Sequence, residues 1–283
     1  KEYFESVPQY FNVSDDERTE YQRKTLHQIL IDVPRTSTSS AIFHSELVQR
    51  ALERLLYIWA LRHPASGYVQ GINDLATPFF VAFLSDHLPA GASCSAEELE
   101  KFHDGEPYVL AHAEADSFWC LSKLLDSVQD HYTFAQPGIQ RMVFKLKELV
   151  ARIDAKLHAH LADQGLQFIQ FAFRWMNCLL LRELKLDLIL RLWDTYMSEH
   201  GGGGDSGGDS DAGDGFATLH VYVCAALLTR WSDKLCNMDF QQLVTFLQHL
   251  PTAEWTEKDV AELLSQAFVF KSLYHNAQSH LRS

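Results

Sequence analysis

The fold predicted for this chain is all-α. Apolar residues recur near every 3.6 positions through most of its length, alternation of the strand type is almost absent, and Ser, Thr and Pro mark helix starts and stops. With 283 residues, 47% of them hydrophobic, it can bury a substantial core as one large domain or as two lobes.

Ser14 with Glu17 three positions later has the form of a capping box, which predicts a helix running to about Leu30. The next helix is expected over 45–62, with Leu47, Ala51, Leu55, Ile58 and Trp59 on one face. It must end near His63, because Pro64 disfavours helical geometry in the residue before it. Further helices are expected at about 75–88, 109–131, 139–162, 166–182, 186–198, 216–235, 240–250 and 257–280. Pro78 makes the first of these either kinked or late in starting, with Thr77 as its cap. The segment 201-GGGGDSGGDSDAGDG-215 holds eight of the 14 glycines and four aspartates, a composition expected of a flexible loop. A phosphate cradle would need a Gly-Lys-Ser/Thr ending and would be opposed by those acids.

Several function classes fall away on composition. A formal net charge of -13 argues against nucleic acid, whose recognition depends on clustered Lys and Arg. The five cysteines, Cys94, Cys120, Cys178, Cys224 and Cys236, are widely spaced with no CxxC, as expected of reduced cytosolic thiols. The stretch 1-KEYFESVPQY-10 lacks the apolar core of a signal peptide, and no run approaches the roughly 18 apolar residues a spanning helix needs. There is no HExxH, and the two imidazoles of 158-HAH-160 point about 200° apart on a helix. Glu183 and Asp187, four apart, are read as a solvated acidic face.

Two loops carry more than turn chemistry. In 29-ILIDVPRTS-37 the helix ends at Asp32 and Pro34 stiffens the approach to Arg35, which can then project outward. Such an Arg can meet a partner's phosphate or form a surface ion pair, and Asp32 can cap or pair locally. In 63-HPASGYVQGIND-74 the Pro and glycines suffice to reverse the chain, yet Tyr68 and Gln70 are there too. The Gln70 amide can hold a water against a polar substrate or bridge loop carbonyls.

Taken together, Ile29-x-x-Asp32-x-x-Arg35 and Tyr68-x-Gln70-Gly71, separated by one helix bearing Trp59, resemble the paired fingerprint of TBC-domain Rab GTPase-activating proteins. The stretches 173-FRWMNCLLLREL-184 and 192-LWD-194 resemble later motifs of that family, so the likeness runs from about Glu17 to Leu273.

The resemblance implies an all-helical, V-shaped domain, with an N-terminal lobe of about 1–135 holding both motifs and a C-terminal lobe of about 136–283. It implies no cofactor of the chain's own, since GTP and Mg2+ are carried by the Rab. Arg35 is then an arginine finger and Gln70 a glutamine finger, with Ile29, Asp32, Tyr68, Gly71 and Asn73 in support. The partner implied is a GTP-bound Rab, and the location is cytoplasmic, peripheral to Golgi or endosomal membranes through that Rab. Rival readings are a Rab-binding module without catalysis and a helical adaptor.

Elsewhere, Phe168, Phe171, Trp175 and Leu179 are expected in the core. Trp193 should be buried and leave Asp194 in need of a partner. Arg174 is the candidate partner, with direct contact to the Rab as its alternative role. The family pattern opens with an Arg- and Trp-bearing helix ahead of the first motif. Nothing of that form precedes Lys1-Glu2-Tyr3, so a first helix is expected to be missing.

Overall fold

A computed structural model describes residues 1–37, 40–85, 87–88, 95–133, 135–200 and 215–274. Helices are the regular structure of these residues, and no strand occurs among them. The Gly/Asp-rich segment 201–215 lies outside the described residues except for Gly215, and Cys94 lies outside them too. By contacts the chain divides into two compact units, Lys1–Gln136 and Pro137–Ser283.

In the first unit, α1 (Glu2–Ser6) runs into a wider helical turn at Val7–Phe11, in a stretch for which the sequence predicts no element. Helix α2 (Glu20–Asp32) begins later than the sequence predicts, its cap being Thr19 in place of Ser14. Its capping box is Thr19 with Gln22: the Gln22 amide donates to Thr19 Oγ1 at 3.3 Å and the Thr19 amide to Gln22 Oε1 at 2.7 Å. Ser14 makes no side-chain cap, and its turn Asp15–Glu17 ends where Arg18 becomes extended. Helix α3 (Glu46–Arg62) is capped by Ser45, and its second half, Leu55–Ala60, is buried on every side. Leu47, expected on its core face, is only half-buried.

After α3 come α4 (Ile72–Leu75), α5 (Thr77–Ser85), α6 (Ala96–Gly105) and α7 (Pro107–Ser127). Of the two outcomes expected at Pro78, the late start is observed. The Thr77 hydroxyl does not accept an amide as a cap would, but donates to the Asp74 carbonyl at 2.8 Å. Helix α6 was not expected because it buries only Leu99, although its Ser95/Glu98 capping box is legible in the sequence. Helices α2 and α7 pack on α3, and α5 packs on α7.

The second unit comprises α8 (Pro137–Ile153), α9 (Ala155–Asp163), α10 (Ile169–Asn177), α11 (Leu186–His200), α12 (Gly215–Thr229), α13 (Ser232–Leu235), α14 (Phe240–Gln248) and α15 (Glu257–Tyr274). The helix expected over 139–162 is two, because Asp154 leaves helical geometry and its carboxylate accepts the Leu157 amide at 2.9 Å. Helix α12 is the centre, packed by α8, α11 and α15. Inside it His220 Nε2 meets the Trp175 carbonyl at 3.1 Å, and Tyr196 Oη lies 3.0 Å from Nδ1. One neutral tautomer satisfies both, with Nε2–H donating and Nδ1 accepting. Phe168, Phe171, Trp175, Leu179 and Trp193 are buried, as expected. None of the described helices is long and apolar enough to cross a membrane.

Candidate functional site

The two loops singled out in the sequence leave the ends of α2 and α3 and come together in the first unit. Ile29 is fully buried and anchors the last turn of α2. Residues Val33–Arg35 then form one tight turn with Pro34 as its second residue, closed by the Thr36 amide donating to the Val33 carbonyl at 3.0 Å. The turn buries Val33 and Thr36 while leaving Pro34 and Arg35 exposed. Arg35 is thus held by its neighbours on both sides.

The second loop starts where His63 stacks on Trp59, ring centroids 4.6 Å apart, and the Gly67 amide donates to the His63 carbonyl at 2.8 Å. Gly67 has φ +64°, a left-handed conformation that favours glycine, and a Cβ there would lie 3.0 Å from the hydroxyl of the exposed Tyr21, which can shift aside. Gly71 adopts φ 108°, a left-handed conformation that opens the short helix α4. Gln70, just before it, is exposed.

Buried polar groups join the loops. The Tyr68 hydroxyl donates to Asp32 Oδ2 at 3.0 Å and lies 3.2 Å from Asn73 Oδ1. Asn73 Oδ1 also accepts the Gly71 amide at 3.1 Å, while Asn73 Nδ2 donates to Thr36 Oγ1 at 2.8 Å. Thr36 Oγ1 in turn donates to the Asp32 carbonyl at 3.3 Å, and Gln28 Nε2 donates to Asp32 Oδ2 at 3.1 Å. Asp32 and Asn73 are each 3% exposed and Thr36 is 1% exposed. Burial, then the Asp32 charge, pushes the Tyr68 hydroxyl pKa far up, so it remains a donor across the physiological range.

Ile29, Asp32, Arg35, Tyr68, Gln70, Gly71 and Asn73 are therefore brought into one arrangement, with two exposed polar side chains on a buried base. Arg35 supplies a positive fork and Gln70 an amide with both donors and an acceptor. Thr36 and Gln28 were not singled out by sequence. A hydroxyl next to an Arg is ordinary, and the only signal is that Thr36 directly follows the stiffened turn.

Arg174 and Asp194 are not a pair, contrary to expectation. Asp194 is exposed to water and has no need of a buried partner. Arg174 forms a fork with Glu183, Nε to Oε1 at 2.7 Å and Nη2 to Oε2 at 2.9 Å, and Nη2 also donates to the Gln248 carbonyl at 2.7 Å. Glu183 is accordingly not on a solvated acidic face, its side chain being 2% exposed. Helix α10 stops at Asn177, and Leu179 and Leu180 take positive φ of 49° and 65°, which turns the chain so that Glu183 folds back onto Arg174.

Among known proteins, residues 2–236 match the model of the Rab-GTPase-TBC domain. The chain is 49% identical over 259 residues, 90% of its length, to the GTPase-activating protein gyp1 of Schizosaccharomyces pombe. It is 47% identical over 285 residues, 100% of its length, to the human TBC1 domain family member 22B. It spans about half the length of these curated relatives, 46% and 52% respectively. A crystal structure of the Ypt/Rab-GAP domain of Gyp1p superposes with a TM-score of 0.84 at 45% identity, covering 96% of this chain and 80% of that one.

Proposed function

The chain belongs to the Rab-GTPase-TBC domain family, and from that premise we propose that it stimulates GTP hydrolysis by a Rab GTPase, with Arg35 and Gln70 supplied in trans. The observation that carries this reading is the exposure of those two side chains on loops tied to one buried polar base. In phosphoryl transfer the γ-phosphorus passes to a water oxygen while its bond to the bridging oxygen breaks, and charge builds on the phosphate oxygens. The Arg35 guanidinium meets that charge, a role worth on the order of three to five decades in rate for an arginine finger. Gln70 orients the attacking water, through its carbonyl as acceptor and its amide as donor. GTP and Mg2+ belong to the partner, and this chain contributes position and charge alone.

Of the residues beneath the fingers, Asp32, Tyr68, Gly71 and Asn73 hold the loops and Ile29 anchors the helix ahead of them. The relatives named above as GTPase-activating or Ypt/Rab-GAP proteins support the reaction class. Contact with membranes is peripheral, made through the Rab partner on the cytoplasmic side of Golgi or endosomal compartments.

The test is single-turnover GTP hydrolysis by a panel of Rab proteins with catalytic amounts of the domain. Arg35→Ala is expected to lower the stimulated rate by about 10³-fold or more with the melting temperature within about 2 °C of wild type. Gln70→Ala is expected to lose much of the rate as well. A Rab whose own switch glutamine is changed to Leu should still respond to wild type but not to Gln70→Ala. Unstimulated hydrolysis across the whole panel, or full activity of Arg35→Ala, would overturn the proposal.

A further inference from the structure

The hydrogen bonds beneath the two exposed side chains close into a ring that takes two residues from each loop. Starting at Asp32, its carboxylate accepts from Tyr68, which lies against Asn73 Oδ1. The Asn73 amide donates to Thr36, and the Thr36 hydroxyl donates back to the Asp32 carbonyl. Each loop contributes one residue on either side of its exposed group: Asp32 and Thr36 flank Arg35, and Tyr68 and Asn73 flank Gln70. The Gly71 amide, first after Gln70, is also held by Asn73 Oδ1.

We propose that Thr36 and Asn73 are positioning residues whose hydrogen bond fixes Arg35 and Gln70 relative to each other, so that the two loops present one rigid two-pronged unit. This rests on the functional reading above. Two loops separated by a whole helix have no local reason to keep register, and the bonds that cross between them in this ring are Tyr68 to Asp32 and Asn73 to Thr36. The first is a part-buried bond to a charged acceptor. The second lies deeper, between two side chains that are nearly sealed from water.

Its loss would leave the Asn73 amide without an acceptor in a dry site, and water cannot readily replace it. Asn73 would then have reason to rotate and release the Gly71 amide, letting the peptide that carries Gln70 move while Arg35 stays on its Pro-stiffened turn. Reactions that need two groups in place at once are steeply sensitive to such slippage, a misplacement near 1 Å costing on the order of a hundredfold. Partner binding spreads over a wider surface and should change little.

The experiment uses single-turnover hydrolysis by a Rab that the wild-type domain stimulates, with Arg35→Ala as the control for the underlying reading. Thr36→Val preserves shape and removes the hydroxyl. It is expected to lower the maximal stimulated rate by about 10- to 100-fold, with the half-saturating concentration within about twofold of wild type. Thr36→Ser, which keeps the hydroxyl, should restore most of the rate. In a Gln70→Ala background, Thr36→Val should cost less than about threefold further, because the group it misplaces is gone.

Amide hydrogen exchange at Gly71 should quicken in Thr36→Val and not in Thr36→Ser. If Thr36→Val is found unfolded by circular dichroism, Thr36→Ala takes its place with rates normalised to folded protein. Equal losses in the Ser and Val variants, a full multiplicative loss in the Gln70→Ala background, or a loss confined to half-saturation would each overturn the proposal. An inert wild type, or an active Arg35→Ala, would instead strike the functional reading beneath it.

Discussion

Arg174 illustrates how little of a residue's role is decided by its own chemistry. Its fork on Glu183 exists because two leucines between them take positive φ, which brings an acid nine positions away onto the guanidinium. Burial raises the Glu183 pKa and Arg174 opposes that rise. With a folded-state pKa above the unfolded value, Glu183 favours the fold at low pH, and that contribution is lost as pH rises through the folded value. Arg174→Ala removes the lowering influence and enlarges the loss. It is expected to destabilise the domain by about 2–4 kcal/mol near pH 7.5, somewhat below the usual range for a fully buried pair because Arg174 is partly exposed. The penalty should shrink near pH 5, measured by urea unfolding at both values; an equal penalty at both would show that it does not depend on Glu183 titrating between them. At the same scale, Arg35 and Gln70 were legible because each is a polar residue that a turn does not need. Thr36 was not, since a buried hydroxyl looks the same in sequence as an exposed one.

Helix boundaries follow from caps, and the sequence offers more caps than the fold uses. Both Ser14/Glu17 and Thr19/Gln22 have the required spacing, and only the second forms, because Arg18 leaves helical geometry between them. Asp154 makes the opposite point, cutting a periodic stretch that reads as one helix. Its carboxylate caps α9 and accepts the Ser232 hydroxyl, so it ties α9 to α13 as well as starting it. Asp154→Ala should cost about 1–2 kcal/mol and Asp154→Asn, which keeps the capping oxygen, distinctly less. Thermal unfolding by circular dichroism checks the order of the two. A harmless Asp154→Ala would mean that the break is set by packing alone. The early end of α10 has a packing origin: Leu179 and Leu180 each incur about 1 kcal/mol or more of backbone strain at positive φ. Both are fully buried, and the Leu179 carbonyl accepts the Trp193 indole at 3.2 Å. No local sequence rule foresees a left-handed pair of leucines.

Across the whole molecule, the contacts that close each unit join residues far apart in the chain. Tyr3 is fully buried against Phe118, ring centroids 4.8 Å apart, and donates at 2.5 Å to Glu114, 111 positions on. Arg54 forks the same carboxylate at 2.8 and 2.6 Å. Tyr3→Ala should therefore cost about 3–5 kcal/mol, through the cavity and through a buried acid losing a donor, while Tyr3→Phe should cost about 1 kcal/mol. Chemical denaturation followed by tryptophan fluorescence separates them; equal costs would show that the hydroxyl and not the ring holds the segment. The sequence by itself determined the all-helical class, most helix positions and the two loops that present Arg35 and Gln70. These depend on periodicity, Pro and Gly, which act within a turn or two of chain. Only the tertiary structure decided which acid is solvated and which is paired, where the long helices break, and that the loops are tied through Thr36 and Asn73, 37 positions apart. Burial and polar satisfaction depend on what packing brings alongside, and hydrogen bonds reaching 36, 37 or 111 positions along the chain leave no local pattern to read.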